Sequence, residues 1–453
     1  MQTSEAISDP FSRGIAAWAD TVRRGEHRFR DTLEQCVARI EDAPHLDAFE
    51  CLDIERARTA ADACDALLAA GTDLGALMGV PFGVKDIMAV EGLPTTNGSL
   101  ADTAALSGTE GTLVRRLRRA GAIVIGKTRT VEFALGSTGV NAARGTPWNP
   151  LDRTTHRIPG GSSSGSAVAV AAGLAGFALG TDTGGSVRIP ACFTGITGFK
   201  SSVGRWPGDG MFPLSPTLDS PGALCRTVAD AILLHGIVTG ERVPTSRRSV
   251  SGLRFGVPRS LFLDELDERV AADFDDACSR LVQAGAVRID IDMPEVQERE
   301  TIFPAIVAPQ LLATLGIERF ESIRRAMDPV TCARAAAGLQ VSAVQHAQAQ
   351  ARRRELIRMG DALFDDLDLD LWLTPTCPFL PMALSELDDP VVHARALLSS
   401  RNTQPGNLLA QCGVSLPIGD TRRPSGLQLL APHGADARVL TLAGSVADAL
   451  SDR

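Results

Sequence analysis

Two stretches of the chain share one grammar, and nothing else in the sequence narrows the fold as much. "LVRRLRRAG" (113–121) reads as an amphipathic helix stopped by glycine, and "AIVIG" (122–126) follows it as a buried strand. "FDDACSRLVQAG" (274–285) and then "AVRIDI" (286–291) repeat the pattern, with Val270, Phe274, Cys278 and Leu281 forming the helical face. More short apolar runs read as strands: "FALGT" (177–181), "LRFGV" (253–257), "LWLTP" (371–375), "VSLPI" (414–418) and "GLQLLA" (426–431). Helices are expected across 12–70, 303–325, 341–365 and 435–451. Helices alternating with short strands predict an α/β chain built around a largely buried sheet. The best linker is the polar stretch "TGERVPTSRRSVSG" (239–252).

Charge and cysteines remove several classes. A net charge of −9 and the lack of any basic cluster argue against nucleic-acid binding. The nine cysteines are scattered with no CxxC pair, so neither a zinc site nor a disulfide framework is expected, and a reducing cytoplasm fits. The first residues lack a basic region followed by an apolar one, so no signal peptide is expected. The apolar run 167–180 is too short to span a membrane.

Two scarcities bear on chemistry. The chain has no tyrosine, and of its 45 basic residues only Lys85, Lys127 and Lys200 are lysines. A buried lysine can lose its proton and an arginine cannot, so these three positions draw the eye. Lys127 lies in "GAIVIGKT" (121–128), which matches the phosphate-loop pattern. The residues between its glycines, Ala122 to Ile125, are those of a strand rather than a loop, so a nucleotide site is not expected there.

"GGSSSGS" (160–166) looks like a flexible linker, yet it runs straight into "AVAVAAGLAGFALG". A helix from Ser164 to about Gly173 and the strand "FALGT" separate it from a second small-residue cluster, "TGGS" (183–186). A helix–strand hairpin can bring both clusters to one end, where small side chains leave backbone N–H groups open to a ligand. A Ser–His–Asp triad needs a histidine, and only His156 of the seven lies near. The nucleophile-elbow pattern is met only about Ser163, without the strand that should precede it. The remaining base is a lysine. "GVPFGVKD" (79–86) puts Lys85 at the end of an apolar segment, where burial would lower its pKa and let it take a proton from a serine.

In this order along the chain, "GVPFGVKD", "PGGSSSGSAVAVAAG", "LGTDTGGSVRIPA" and "GITGFKSSVGR" resemble the amidase signature family. Agreement is close over about 75–230. The resemblance implies an amidase-signature fold, a central mixed β-sheet of many strands covered by helices on both faces. It implies an N-terminal helical segment (1–70) packed on a single catalytic domain (71–453). Ser186 is then the nucleophile, Ser162 the bridging serine after a cis peptide, and Lys85 the general base. Backbone N–H groups of Thr183, Gly184, Gly185 and Ser186 would form the oxyanion hole, with Asp182, Arg188 and Ser163 supporting them. No metal or other cofactor is implied.

The implied reaction is hydrolysis of a small-molecule amide through an acyl-enzyme, releasing ammonia or amine. Two other readings share the motifs: the ammonia-producing component of a tRNA-dependent amidotransferase, and an allophanate-hydrolase-like enzyme. A homodimer is compatible with the resemblance, and no nucleic-acid or membrane partner is implied. The pocket is expected around Gly136, Ser137, Thr138 and Trp148, with Met211 and Phe212 as apolar walls. Phe133 and Trp206 are further wall candidates. Lys200 is expected to be structural.

Overall fold

The structure, a computed structural model, describes residues 9–244 and 249–451. Part of the expected linker, 245–248, and the first eight residues of the start lie outside the described residues.

Eleven strands form one sheet: β1 (Phe49–Leu52), β2 (Pro81–Lys85), β3 (Ile123–Thr128), β4 (Phe177–Asp182), β5 (Thr197–Lys200), β6 (Ser220–Cys225), β7 (Arg254–Pro258), β8 (Val287–Ile291), β9 (Leu371–Pro375), β10 (Cys412–Ile418) and β11 (Ser425–Ala431). Their order is β1-β3-β2-β4-β6-β5-β10-β11-β9-β7-β8. The sheet is mixed. β3, β2 and β4 run parallel, as do β9, β7 and β8, and antiparallel pairs join the two groups. All six residues of β4 are buried. Successive strand residues point to opposite faces, so both faces of the sheet are covered there.

The repeated helix–strand grammar is present at both places. Helix Thr112–Arg119 buries Leu113, Val114 and Leu117 and leads into β3; helix Glu268–Gln283 buries Val270, Phe274, Cys278 and Leu281 and leads into β8. β4, β7, β9, β10 and β11 lie on the other runs read as strands, and β2 lies on the apolar segment that ends at Lys85.

Three strands have no counterpart among those expected. β5 (TGFK) and β6 (SPGALC) are short and rich in residues that disfavour strands, and Pro221 lies inside β6 although both its edges are paired. β1 falls in the 1–70 segment expected to be helical. It adds an edge strand antiparallel to β3, and its four residues are too few for periodicity to register. The helix expected over 303–325 is two, Arg299–Leu315 and Ile317–Ile323, bent by 86°. Gly316 between them has φ +77°, outside the helical region. No single helix among the described residues is long and apolar enough to cross a membrane.

This topology positions the site. β2 and β4 are parallel neighbours, so Lys85 and Asp182, the last residue of each, emerge on the same edge. Helix Ser164–Ala171 packs on β2 and β4 and against helix Arg188–Thr194. The loops preceding these two helices therefore meet at that edge, as Ser163 N–H donating to Ser186 O (3.2 Å) shows.

Candidate active site

Lys85 is fully buried, and its Nζ donates to Ser162 Oγ (2.7 Å) and Thr181 Oγ1 (2.9 Å). Burial pushes its pKa down to about 7, because the charged form loses its hydration; the nearby carboxylates of Asp219 and Asp182 oppose that shift. Ser162 follows a cis peptide bond from Gly161. Its carbonyl accepts from Val131 N–H (3.2 Å) and Thr130 Oγ1 (3.1 Å), and Gly161 N–H donates to Ser137 O (2.8 Å). The "GGSSSGS" string is thus pinned along its length and buried throughout.

Ser186 lies on the second loop, 8% exposed, and opens into a cavity of about 310 Å³. Its hydroxyl makes no hydrogen bond to a described residue. The expectation that Ser162 Oγ would reach both Lys85 and Ser186 is therefore met only on the Lys85 side.

Asp182 shapes the Ser186 loop. Its carboxylate accepts from Gly185 N–H (2.8 Å) and Val187 N–H (3.2 Å), and it is paired with Arg188 through Nε (3.0 Å) and Nη2 (2.8 Å). Both side chains are completely buried. Arg188 Nη2 also donates to Asn407 Oδ1 (2.6 Å) and its Nη1 to Gln428 Oε1 (2.5 Å), so the ion pair is satisfied on all sides. Burial by itself would raise the Asp182 pKa, but Arg188 together with Lys200 and Asn407 outweighs it and holds the carboxyl well below the usual range.

One oxyanion donor is corrected here. Gly185 N–H already serves Asp182, whereas Thr183, Gly184 and Ser186 N–H groups make no hydrogen bond to a described residue. Gly185 has φ +122°, and a Cβ there would come 2.0 Å from Thr403 Oγ1, so the position tolerates only glycine.

The structure brings two further residues to Lys85 and its loop. Thr181, inside the "LGTDTGGSVRIPA" stretch, accepts a hydrogen bond from Lys85 Nζ. Asp219, buried and pushed up to about 6 by that burial, accepts from Thr183 Oγ1 (2.5 Å) and Ser215 N–H (2.9 Å). Asp219 sits in no motif and comes from the approach to β6, so only the folded chain places it. Ser163 bonds locally, its hydroxyl donating to Thr181 O (3.4 Å).

Of the expected pocket residues, Gly136 and Ser137 line the cavity, but Thr138, Trp148, Met211 and Phe212 do not. Thr138 is buried and offers its carbonyl to Gly160 N–H. Trp148 stacks on His156 with ring centroids 4.5 Å apart. Met211 bridges to Met88, and Phe212 stacks on Phe133 in the core. Trp206 is buried beside His235. Phe133, Trp206 and Phe212 are buried in the core, as most large apolar residues are, and Trp148 and Met211 pack half-buried against it. The cavity walls are instead Ile189, Leu214, Phe303 and Val307, with Arg299, Arg334 and Gln404. A larger groove of about 990 Å³, beside helices Val228–Thr239 and Asp436–Ser451, touches none of the triad residues.

The other two lysines have structural partners. Lys127 pairs with Asp86 (2.8 Å) in a wholly buried contact, and Lys200 donates to Gln411 O (2.8 Å) and Ser201 O (3.1 Å). Among the described residues, no group of His, Cys, Asp and Glu side chains is placed to hold a metal ion.

A buried lysine at the edge of a mixed sheet is thus hydrogen-bonded to one loop serine, Ser162, while a second loop serine, Ser186, lines a cavity. The family described as Amidase matches residues 31–440, and the chain belongs to it: it is a hydrolase acting on amide C–N bonds. It is 42% identical over 422 residues to a 2-amino-5-chloromuconic acid deaminase of Comamonas testosteroni, covering 91% of this chain and 90% of that one. It is 32% identical over 446 residues to an indoleacetamide hydrolase of Allorhizobium ampelinum, covering 94% and 95%. Glutamyl-tRNA(Gln) amidotransferase is represented too, by a chain of Acidothermus cellulolyticus that is 35% identical over 463 residues, covering 92% and 90%. A solved amidase structure superposes with TM-score 0.86 at 31% identity, covering 96% of this chain and all of the other.

Proposed function

We propose that the chain hydrolyses a small-molecule amide through an acyl-enzyme on Ser186, with Ser162 as proton bridge and Lys85 as general base. The observation that carries this is the fully buried Lys85, 2.7 Å from the Ser162 hydroxyl, with a pKa near 7. Neutral Lys85 offers a lone pair to the Ser162 O–H. As Ser186 Oγ attacks the carbonyl carbon, its proton passes to Ser162 Oγ, and the Ser162 proton passes to Lys85. The carbonyl oxygen becomes an oxyanion, stabilised by the N–H groups of Thr183, Gly184 and Ser186. Collapse expels the amine, which takes the proton back along the same path. Water then enters, gives a proton toward Lys85 and releases the acid, regenerating Ser186. Asp182 supports the loop by holding Gly185 and Val187 N–H in place, and Arg188 keeps Asp182 ionised.

Ammonia is the expected nitrogen product, in keeping with the relative named as a deaminase. All nine cysteines are free, which fits a reducing compartment, and we assign the chain to the cytoplasm. The amidotransferase relative supports a second reading, in which the ammonia goes to a partner protein. One experiment separates them. The purified chain is given a panel of aliphatic, aryl and ureido amides, and the acylated protein is trapped with hydroxylamine or found by mass spectrometry. Turnover by the isolated chain, lost in Ser186→Ala together with the acyl adduct, supports the free-standing amidase. Turnover that needs a partner protein supports the second reading, and an adduct on another residue refutes the assignment of Ser186.

A further inference from the structure

The cavity onto which Ser186 opens is not electrically neutral. Two arginines line it, Arg299 from helix Arg299–Leu315 and Arg334 from helix Pro329–Ala337, and the only lining carboxylate is Glu300. Arg299 is 8% exposed, and its Nε is buried with no hydrogen-bond partner. Its Nη1 donates to the neutral Gln404 Oε1 (3.0 Å), and its one acidic contact is Glu300 (3.2 Å), whose side chain is 70% exposed. Arg334 donates to Leu135 O (3.3 Å) and forms no ion pair with a described residue. A buried guanidinium N–H without an acceptor is uncommon in a folded chain and calls for an explanation. So does a pair of arginines facing one small cavity with so little negative charge opposite.

The position of Arg299 ties it to the reacting loop. Phe303 follows one turn later on the same helix, and its ring packs on Gly184, where a Cβ would come 2.7 Å from Phe303 Cζ. Gln404, the acceptor for Arg299, packs on Gly184 as well, its Cγ 3.4 Å from that same point. The residue before it, Thr403, donates its hydroxyl to Gly184 O (2.7 Å). Arg299 is therefore bonded to Gln404, one of the side chains packed on the loop proposed to carry the oxyanion donors.

We propose that the substrate carries a carboxylate in addition to the C–N bond that is cleaved, and that Arg299, with Arg334, binds it inside the cavity beside Ser186. A carboxylate presents two acceptor oxygens, which suit the planar fork of a guanidinium and would satisfy the orphaned Nε. Apolar walls from Ile189, Leu214 and Val307 leave the linking part of the substrate to be hydrocarbon. The substrate class is thus a short acid amide, with a charged head and a neutral reacting group. This deepens the assignment of Ser186 and rests on it for the reacting end.

The test compares matched probes. Succinamate and 4-oxopentanamide have the same length and nearly the same shape, but only the first carries a charge. Wild-type kcat/KM should favour succinamate, and that preference should fall by about 10–100-fold in Arg299→Gln, as expected for one charge-assisted hydrogen-bond pair. A merely structural role for Arg299 would lower both substrates together and leave the ratio alone. Arg334→Gln, on a separate and half-exposed position, should lower the ratio as well and serves if Arg299→Gln does not fold. Arg299→Lys keeps the charge but not the fork and should recover part of the preference. Binding of succinate, read by titration calorimetry without turnover, should weaken in the same variants. A wild-type enzyme indifferent to the charge, or a ratio and a succinate affinity unmoved in both glutamine variants, overturns the proposal. Succinate binding that depends on the arginines, in a protein whose Ser186→Ala variant still turns over, upholds the carboxylate site and rejects Ser186 instead.

Discussion

Replacing Lys85 by arginine tests the base directly, because it preserves charge and removes proton acceptance. Burial sets the Lys85 pKa at about 7, against 10.5 for an ordinary lysine. At pH 8 roughly nine-tenths of such a lysine is neutral, whereas a solvated one would be neutral only about three times in a thousand. A guanidinium in the same place stays protonated at that pH, so Lys85→Arg should lose ~10²–10⁴ in kcat/KM, the contribution of a general base. The sign of the pH profile follows from the lysine's pKa. Protonation of Lys85 removes the base, so wild-type kcat/KM should rise about tenfold per pH unit below 7 and level off above it. The assay is ammonia release from the best amide of the panel, across pH 5 to 9, with thermal unfolding of each variant as a check on folding. Lys127→Arg keeps the buried pair with Asp86, and Lys200→Arg keeps donors toward Gln411 and Ser201; both should lose far less. If Lys85→Arg keeps a tenth or more of wild-type kcat/KM, about 1.4 kcal/mol of barrier, Lys85 is not the base.

Three other outcomes are expected. The Asp219 carboxylate raises the Lys85 pKa, so Asp219→Asn should move the acid limb of the profile to lower pH; a move to higher pH would contradict the electrostatic account. Gly185→Ala sets a Cβ 2.0 Å from Thr403 Oγ1 at φ +122°, and should cost about 2–4 kcal/mol in urea unfolding, from backbone conformation and overpacking together. Arg188→Met strands the buried Asp182 and should cost about 3–5 kcal/mol near neutral pH. The sign with pH is defined: paired Asp182 stays ionised to low pH, and unpaired Asp182 takes up a proton sooner, so the gap between variant and wild type should narrow on acidification.

The two serine loops that the fold brings together are legible in the chain because they are compact strings of small residues separated by one helix and one strand. Small residues in such strings have no packing role to explain them, and Lys85 stood out as one of three lysines. The use of Gly185 N–H by Asp182 depends on a side-chain orientation that composition does not encode. The cavity was read poorly. Trp148, Met211 and Phe212 have the size and apolarity of cavity walls, but Phe212 fills the core and the other two pack against it. The arginines that do line the cavity carried no mark among so many others.

What the sequence determined by itself was local: helix faces from periodicity, stops at glycine, the strands with apolar runs, and the two small-residue loops. These follow from interactions within a few residues of one another, which spacing and residue type record. Tertiary structure decided the rest. β5 and β6 are strands because partners on both sides complete their hydrogen bonds, not because TGFK or SPGALC favours extension. Lys85 titrates near 7 because the sheet, helix Ser164–Ala171 and the Asp219 loop together exclude water from it. Arg299, Arg334 and Gln404 reach one cavity only because helices distant in the chain pack at the edge where β2 and β4 end. Burial, electrostatic environment and convergence belong to the whole fold, since each sums contributions from segments with no sequence relation to one another.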